Sequence, residues 1–271
     1  MTGTLSQLIT LVAYGNQYIA NPGTSINFPA NHSAFQYCKN VFFSVEDQNH
    51  PSSENHPIIV AESPVEWFGY LAKTGCKTLK LYYESSDGST GIKDHKLAGM
   101  IGGGGAWLIE AIYPENSDFW YGAWEVTRDD ATNSNVWTVN YKRIQHHIPS
   151  RNLQLDIETQ KNILSDVLAK IEAFADEVNA ENFAGIFQQA NAWLTENYPE
   201  RDYYHTDLLP DDTYSIPERQ LFFAASGAWV FGGMGSWNDM GFVVEQQQVY
   251  ENLSSALYTA INNAIIAAIN S

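Results

Sequence analysis

The chain has 271 residues, 44% of them hydrophobic and 13% aromatic, too apolar for a disordered polypeptide and long enough to bury a sizeable core. Asp and Glu number 31 against 14 Lys and Arg, a formal charge of −17. Such a field disfavours nucleic acid, which is held through Lys and Arg at phosphates, and anionic membrane surfaces; it favours encounter with a basic partner.

Residues 5–19 fit a helix or a strand, and Asn21, Pro22 and Gly23 interrupt whichever forms. Residues 41–45 and 58–60 read as strands. Ser63, Pro64 and Glu66 then supply an N-cap, a first helical residue and the third position of a capping box. That helix should reach about Lys73, with Gly75 ending it. Strands resume over 78–83, Asp87 and Gly88 mark a turn, and 106–113 is apolar and aromatic. Residues 120–127 and 136–144 form the clearest hairpin, with Asp129, Asp130, Asn133 and Asn135 between its arms. Consecutive strands without helical crossovers predict antiparallel pairing.

Pro149 and Ser150 mark a change to helical period. Ile157, Leu164, Val167, Leu168, Ile171, Phe174, Ala175 and Val178 share one face; Phe183, Ile186, Phe187, Ala190 and Leu194 share the next. Residues 199–212 form a polar, Tyr-bearing loop. Ser215 and Glu218 make a second capping box, opening a helix over about 216–231. A last helix over about 245–269 carries the stripe Val249, Leu253, Leu257, Ile261, Ile265 and Ile269. The expected fold is α+β in a single domain. An antiparallel sheet fills the N-terminal half, to about residue 150, and the C-terminal helices pack on it.

The first 38 residues contain no Lys or Arg, so the positive end of a signal peptide is missing. Residues 8–13 are too short to span a membrane, and Asn262 and Asn263 interrupt the apolar run 256–269. A soluble, cytoplasmic protein is expected, with Cys38 and Cys76 reduced and the glycosylation patterns at Asn31 and Asn252 without meaning.

Several constellations invite chemistry. The tetraglycine from Gly102 to Gly105 lacks the Lys-Ser or Lys-Thr of a Walker loop, and Trp107 stands where G-x-G-x-x-G needs glycine. It reads better as a tight turn or a close-packed corner. The stretch WVFGGMGSWNDMGF, residues 229–242, combines four glycines with two tryptophans. Met and Asn flank Ser236 where a nucleophile elbow needs glycine. Here a loop on a rigid scaffold offers Trp229, Met234, Ser236, Trp237, Asn238 and Asp239 as binding residues; the alternative is a helix cap and a docked connector.

This stretch, followed by a terminal amphipathic helix, resembles uncharacterised bacterial proteins found near polymorphic toxin systems, some of them thought to be immunity proteins. The resemblance covers about the last 50 residues and implies a protein-binding role without naming a catalytic residue.

His146 and His147 follow the hairpin, and His205 and Asp207 lie in the acidic loop with Asp211 and Asp212. Neither H-E-x-x-H nor paired C-x-x-C appears, so they read as solvated residues and no metal or cofactor is expected. Glu110 and Glu125, in strands crowded with Trp107, Trp120, Trp124 and Trp137, form a conceivable acid–base pair for carbohydrate hydrolysis. Cys38 with His32 is a conceivable thiol nucleophile and base, against the commoner buried thiol. The favoured expectation is a non-catalytic, immunity-like protein that sequesters a basic protein partner. A carbohydrate hydrolase and a small-ligand binder are the alternatives.

Overall fold

The N-terminal stretch is a helix. α1 (Gly3–Ala20) starts where the Thr2 hydroxyl accepts the Leu5 N–H at 3.3 Å. Every residue from Leu5 to Gly15 is buried, so the helix has no polar face and its sequence no helical period. Its polar side chains find partners inside. Gln7 donates to the Ala34 carbonyl at 2.9 Å and accepts the Tyr141 hydroxyl at 2.8 Å. The computed structural model describes residues 1–22, 26–29, 31–46, 57–86, 91–100, 103–127, 135–211 and 213–271. The turn residues Gly23, Asp87, Gly88, Asp129, Asp130 and Asn133, together with Gly102, lie outside them.

β1 (Cys38–Val45) and β2 (Ile58–Ala61) pair antiparallel, and α2 (Pro64–Lys73) carries the chain across to β3 (Thr78–Glu84). After the short α3 (Asp94–Leu97), β4 (Ala106–Ile112), β5 (Ser117–Val126) and β6 (Trp137–Ile148) run as a meander. The sheet order is β2-β1-β6-β5-β4-β3. Four of the five strand pairs are antiparallel as expected. The fifth, β1 with β6, is parallel, because α2 moves the chain to the far edge and the meander returns to the middle beside β1. Ser63 caps α2 as predicted, but the Glu66 carboxylate reaches the Glu62 N–H, one residue beyond the box.

Aromatic rings fill the core-facing side of the sheet. Phe43 stacks on Trp67 at 4.5 Å and on Tyr141 at 5.1 Å, and Trp120 meets Trp67 edge-on at 5.3 Å. The outer edge of β3 is closed by two carboxamides. Asn16 bonds both the N–H and the carbonyl of Leu79, at 2.7 and 2.9 Å. Asn270 does the same for Leu81, at 2.7 and 2.9 Å. Each takes up hydrogen bonds that a further strand would use.

The helical half comprises α4 (Ile157–Glu177), α5 (Glu181–Trp193), α6 (Ile216–Gly227) and α7 (Val244–Ile269). The predicted faces are buried or half-buried except at Ile186 and Val249, which are exposed. α6 ends four residues before its predicted limit. The Trp193 ring packs so close to Gly227 that a Cβ there would lie 2.2 Å from it. One continuous core runs from α1 and the sheet into these helices, and the α+β class is as expected. Among the described residues no helix is long and apolar enough to cross a membrane.

Candidate functional site

In the connector 229–242, the predicted aromatic platform faces inward. Trp237 is fully buried, with its ring edge-on to Phe183 at 5.0 Å and Phe187 at 5.4 Å. Its indole N–H donates to the Ser254 hydroxyl at 2.8 Å, and its carbonyl accepts the Tyr250 hydroxyl at 2.6 Å. A tryptophan is the largest apolar surface the segment can contribute, and the helical core takes it, as in the alternative of a docked connector. Trp229 is half-buried and donates to the Phe231 carbonyl at 2.8 Å. Ser236 donates to the Gly232 carbonyl, Asn238 to the His95 carbonyl, and Asp239 accepts the Gly235 N–H. Three apolar side chains remain outward beside the exposed Asp239: Met234 is fully exposed, and Val243 and Val244, at the start of α7, are 64% and 84% exposed.

The tetraglycine corner is also packed from within. The Gly104 carbonyl accepts the hydroxyls of Tyr83 and Tyr258, each at 2.8 Å, and Gly104 holds φ +82°, which only glycine adopts freely. A phosphate cradle needs free N–H groups facing outward, whereas here two tyrosines face in.

Glu110 and Glu125 are not brought together. Glu110 pairs across the sheet with Phe119, and Glu125 lies six residues further along β5, about 20 Å at the rise of a strand. Both glycosidase geometries need less than about 10 Å. Glu110 is buried and accepts the Arg151 N–H at 3.0 Å, while the Arg151 guanidinium lies over the Tyr82 and Phe119 rings. Its role is to fasten the link between sheet and helices. Glu125 is exposed.

His205 and Asp207 meet Ser33, from the turn before β1. The Ser33 hydroxyl and N–H both bond the Asp207 carboxylate, and His205 Nδ1 lies 2.7 Å from the same hydroxyl. A serine–histidine–aspartate relay needs the carboxylate on the far ring nitrogen of the histidine. Here the carboxylate takes the serine proton itself, so the array clamps two loops. Burial alone would raise the Asp207 carboxyl, but the Ser33 hydrogen bonds and the nearby His32 hold it below the ordinary value. Burial lowers His32 and His205. Cys38 and His32 have different partners. The Cys38 sulfur accepts from Gln7, and His32 Nδ1 accepts the Ala34 N–H. Burial pushes the Cys76 thiol up to about 12.

A cavity of about 510 Å³ lies where the β4–β5 turn meets the end of β6, lined by Tyr70, Lys77, Tyr113, Glu115, Arg143 and the histidine pair. The register between β5 and β6 shifts twice here, as bulges do where they re-aim side chains. Asp118, almost fully buried, accepts from three sides. His146 Nδ1 stands 2.7 Å and the His147 N–H 3.0 Å from Oδ1, and Arg143 reaches Oδ2 at 3.3 Å. His146 is thus a half-buried strand residue oriented by a carboxylate, where a solvated loop residue was expected. Nothing in the spacing of Asp118 from His146 signals the pair; the strand register brings them together. No family model matches this chain, and the searches of curated proteins and of solved structures likewise find no match.

Proposed function

We propose that the protein is a non-catalytic, immunity-like binding protein of the cytoplasm that sequesters a basic protein partner. One observation carries the reading. The connector 229–242 is fixed to the helical core by Trp237, yet it holds Met234 wholly in solvent, and Val243 and Val244 stand exposed just beyond it. Exposed apolar side chains on a rigid mount suit a contact whose apolar centre is ringed by polar residues. Asp239 lies in the connector and Glu245 follows Val244 in the first turn of α7, and the −17 charge of the chain would draw a basic surface toward them. The resemblance of residues 229–239 to immunity-like proteins supports the same role. Nucleic acid and membranes are disfavoured partners on the same electrostatic grounds.

The alternatives find less support. The carboxylates of the hydrolase reading stand too far apart, and the polar groups of a ligand loop at 232–239 are spent largely on one another. The test is capture from host extract with the native chain and with Met234→Asp as baits. A basic protein retained by the native bait in low salt, weakened in high salt and lost with the variant is the expected result. Equal recovery on both baits, or chaperones alone, removes the reading.

A further inference from the structure

We propose that Asp118, His146 and His147 form a binding site for a divalent transition-metal ion of the zinc class, open to the 510 Å³ cavity beside it. The proposal does not rest on the binding-protein reading.

The backbone gives the first argument. Neighbouring residues of a strand point to opposite faces. His146 and His147 are neighbours in β6, yet their rings stack with centroids 3.6 Å apart and planes 29° from parallel. The alternation is broken at His147, whose φ of +54° lies in the left-handed region. For a residue with a Cβ that conformation is unfavourable, and such residues gather at functional sites. The strain places two imidazoles on one side of the strand, beside a buried carboxylate.

Donor geometry gives the second. One ligand atom from each of the three residues lies within 4.8 Å of the other two. Bonds of about 2.1 Å to an ion would set its ligands a little over 3 Å apart, so the wider separations close and the 2.7 Å pair opens slightly to complete the set. His146 Nδ1 and Asp118 Oδ1, 2.7 Å apart, already share a proton, and an ion can take that proton's place. The proton then moves to the other ring nitrogen of His146, so no co-reactant is needed. Arg143 stays on Oδ2 and fixes the carboxylate, leaving Oδ1 as the single ligand atom.

Donor chemistry gives the third. Two imidazoles and one carboxylate suit zinc, cobalt, nickel or ferrous iron, whereas magnesium and calcium prefer an all-oxygen set. Three protein ligands facing a cavity leave a coordination position for an outside group, unlike a closed four-ligand structural site.

The experiment is calorimetric titration of chelator-treated protein with zinc chloride, and with cobalt chloride read by its visible spectrum. One ion per chain is expected, with no saturable response to magnesium. His146→Ala and His147→Ala should each weaken binding at least about 10-fold. His147 is exposed, so its variant should keep the melting temperature of the metal-free protein within a few degrees and separate ligand loss from misfolding. No saturable zinc binding by the native chain, or native affinity in both alanine variants, overturns the site.

Discussion

The connector 229–242 and the end of the β5–β6 hairpin are both short irregular segments at the ends of regular elements, and they are fastened in opposite ways. The connector is held by an apolar peg, Trp237, inside a cage of aromatic rings. The strand end is held by a polar peg, Asp118, which gathers an arginine, an imidazole and a backbone N–H. An apolar peg spends its chemistry on packing and leaves the outer side chains free to meet a partner. A polar peg keeps charge and lone pairs next to a cavity, where protons and ions can reach them.

Breaking the apolar peg should have the larger effect. Trp237→Ala empties a fully buried site and leaves Ser254 without its indole donor; a loss of about 3–5 kcal/mol is expected in urea unfolding. Removing the polar peg comes next. Asp118→Ala leaves Arg143 mostly buried without its carboxylate, for a loss of about 3 kcal/mol by the same measurement. A third fastening sharpens the contrast, because it is polar yet neutral. Asn270→Ala strips both hydrogen bonds from Leu81 at the sheet edge and should cost about 1–3 kcal/mol, with a greater tendency to associate through β3 seen by light scattering.

Acid separates polar fastenings from apolar ones. His32 and His205 are lowered by burial, so the folded state binds fewer protons on them than the unfolded state does. Their contribution is whole above the unfolded value of about 6.5 and is lost as pH falls through the lowered folded values. Asp207, also lowered overall, adds stability that is whole above about pH 4 and is lost as pH falls through its folded value. Stability should therefore decline in two stages on acidification. Asp207→Asn should reduce the lower stage, which Asp94 and Glu251 share, and keep the upper one, as read from melting temperature against pH. The smallest expected effect concerns strain at the strand end. At φ +54° His147→Gly should be more stable than His147→Ala by about 1 kcal/mol, the reverse of their order in an ordinary strand.

The parts of this fold that were legible in the sequence are those with one buried face. The hairpin arms are rich in aromatic and β-branched residues, α4 and α7 carry apolar stripes, and Ser63 and Ser215 announce helix starts by local chemistry. α1 was ambiguous because it is buried all round, and a helix without a polar face has no period to read. The parallel pairing of β1 with β6 was hidden because it joins strands about a hundred residues apart, after the rest of the sheet has formed between them in sequence. At the connector the residue types are legible in the sequence but their direction is not. Tryptophan serves a core as readily as an interface, and only the facing helices decide. The Asp118 cluster depends on register shifts and a left-handed residue, neither of which has a signature at His146 or His147.

On the proposed function, the apolar residues on the Trp237 mount meet a basic partner. The most direct test takes the protein recovered with the native chain and measures its affinity by calorimetry across a salt series, for the native chain and for Met234→Asp and Val244→Asp. Affinity should fall steadily with salt and drop at least about 10-fold in each variant, while both variants unfold at native urea concentrations. Salt-independent affinity, or native affinity in both variants, would contradict it.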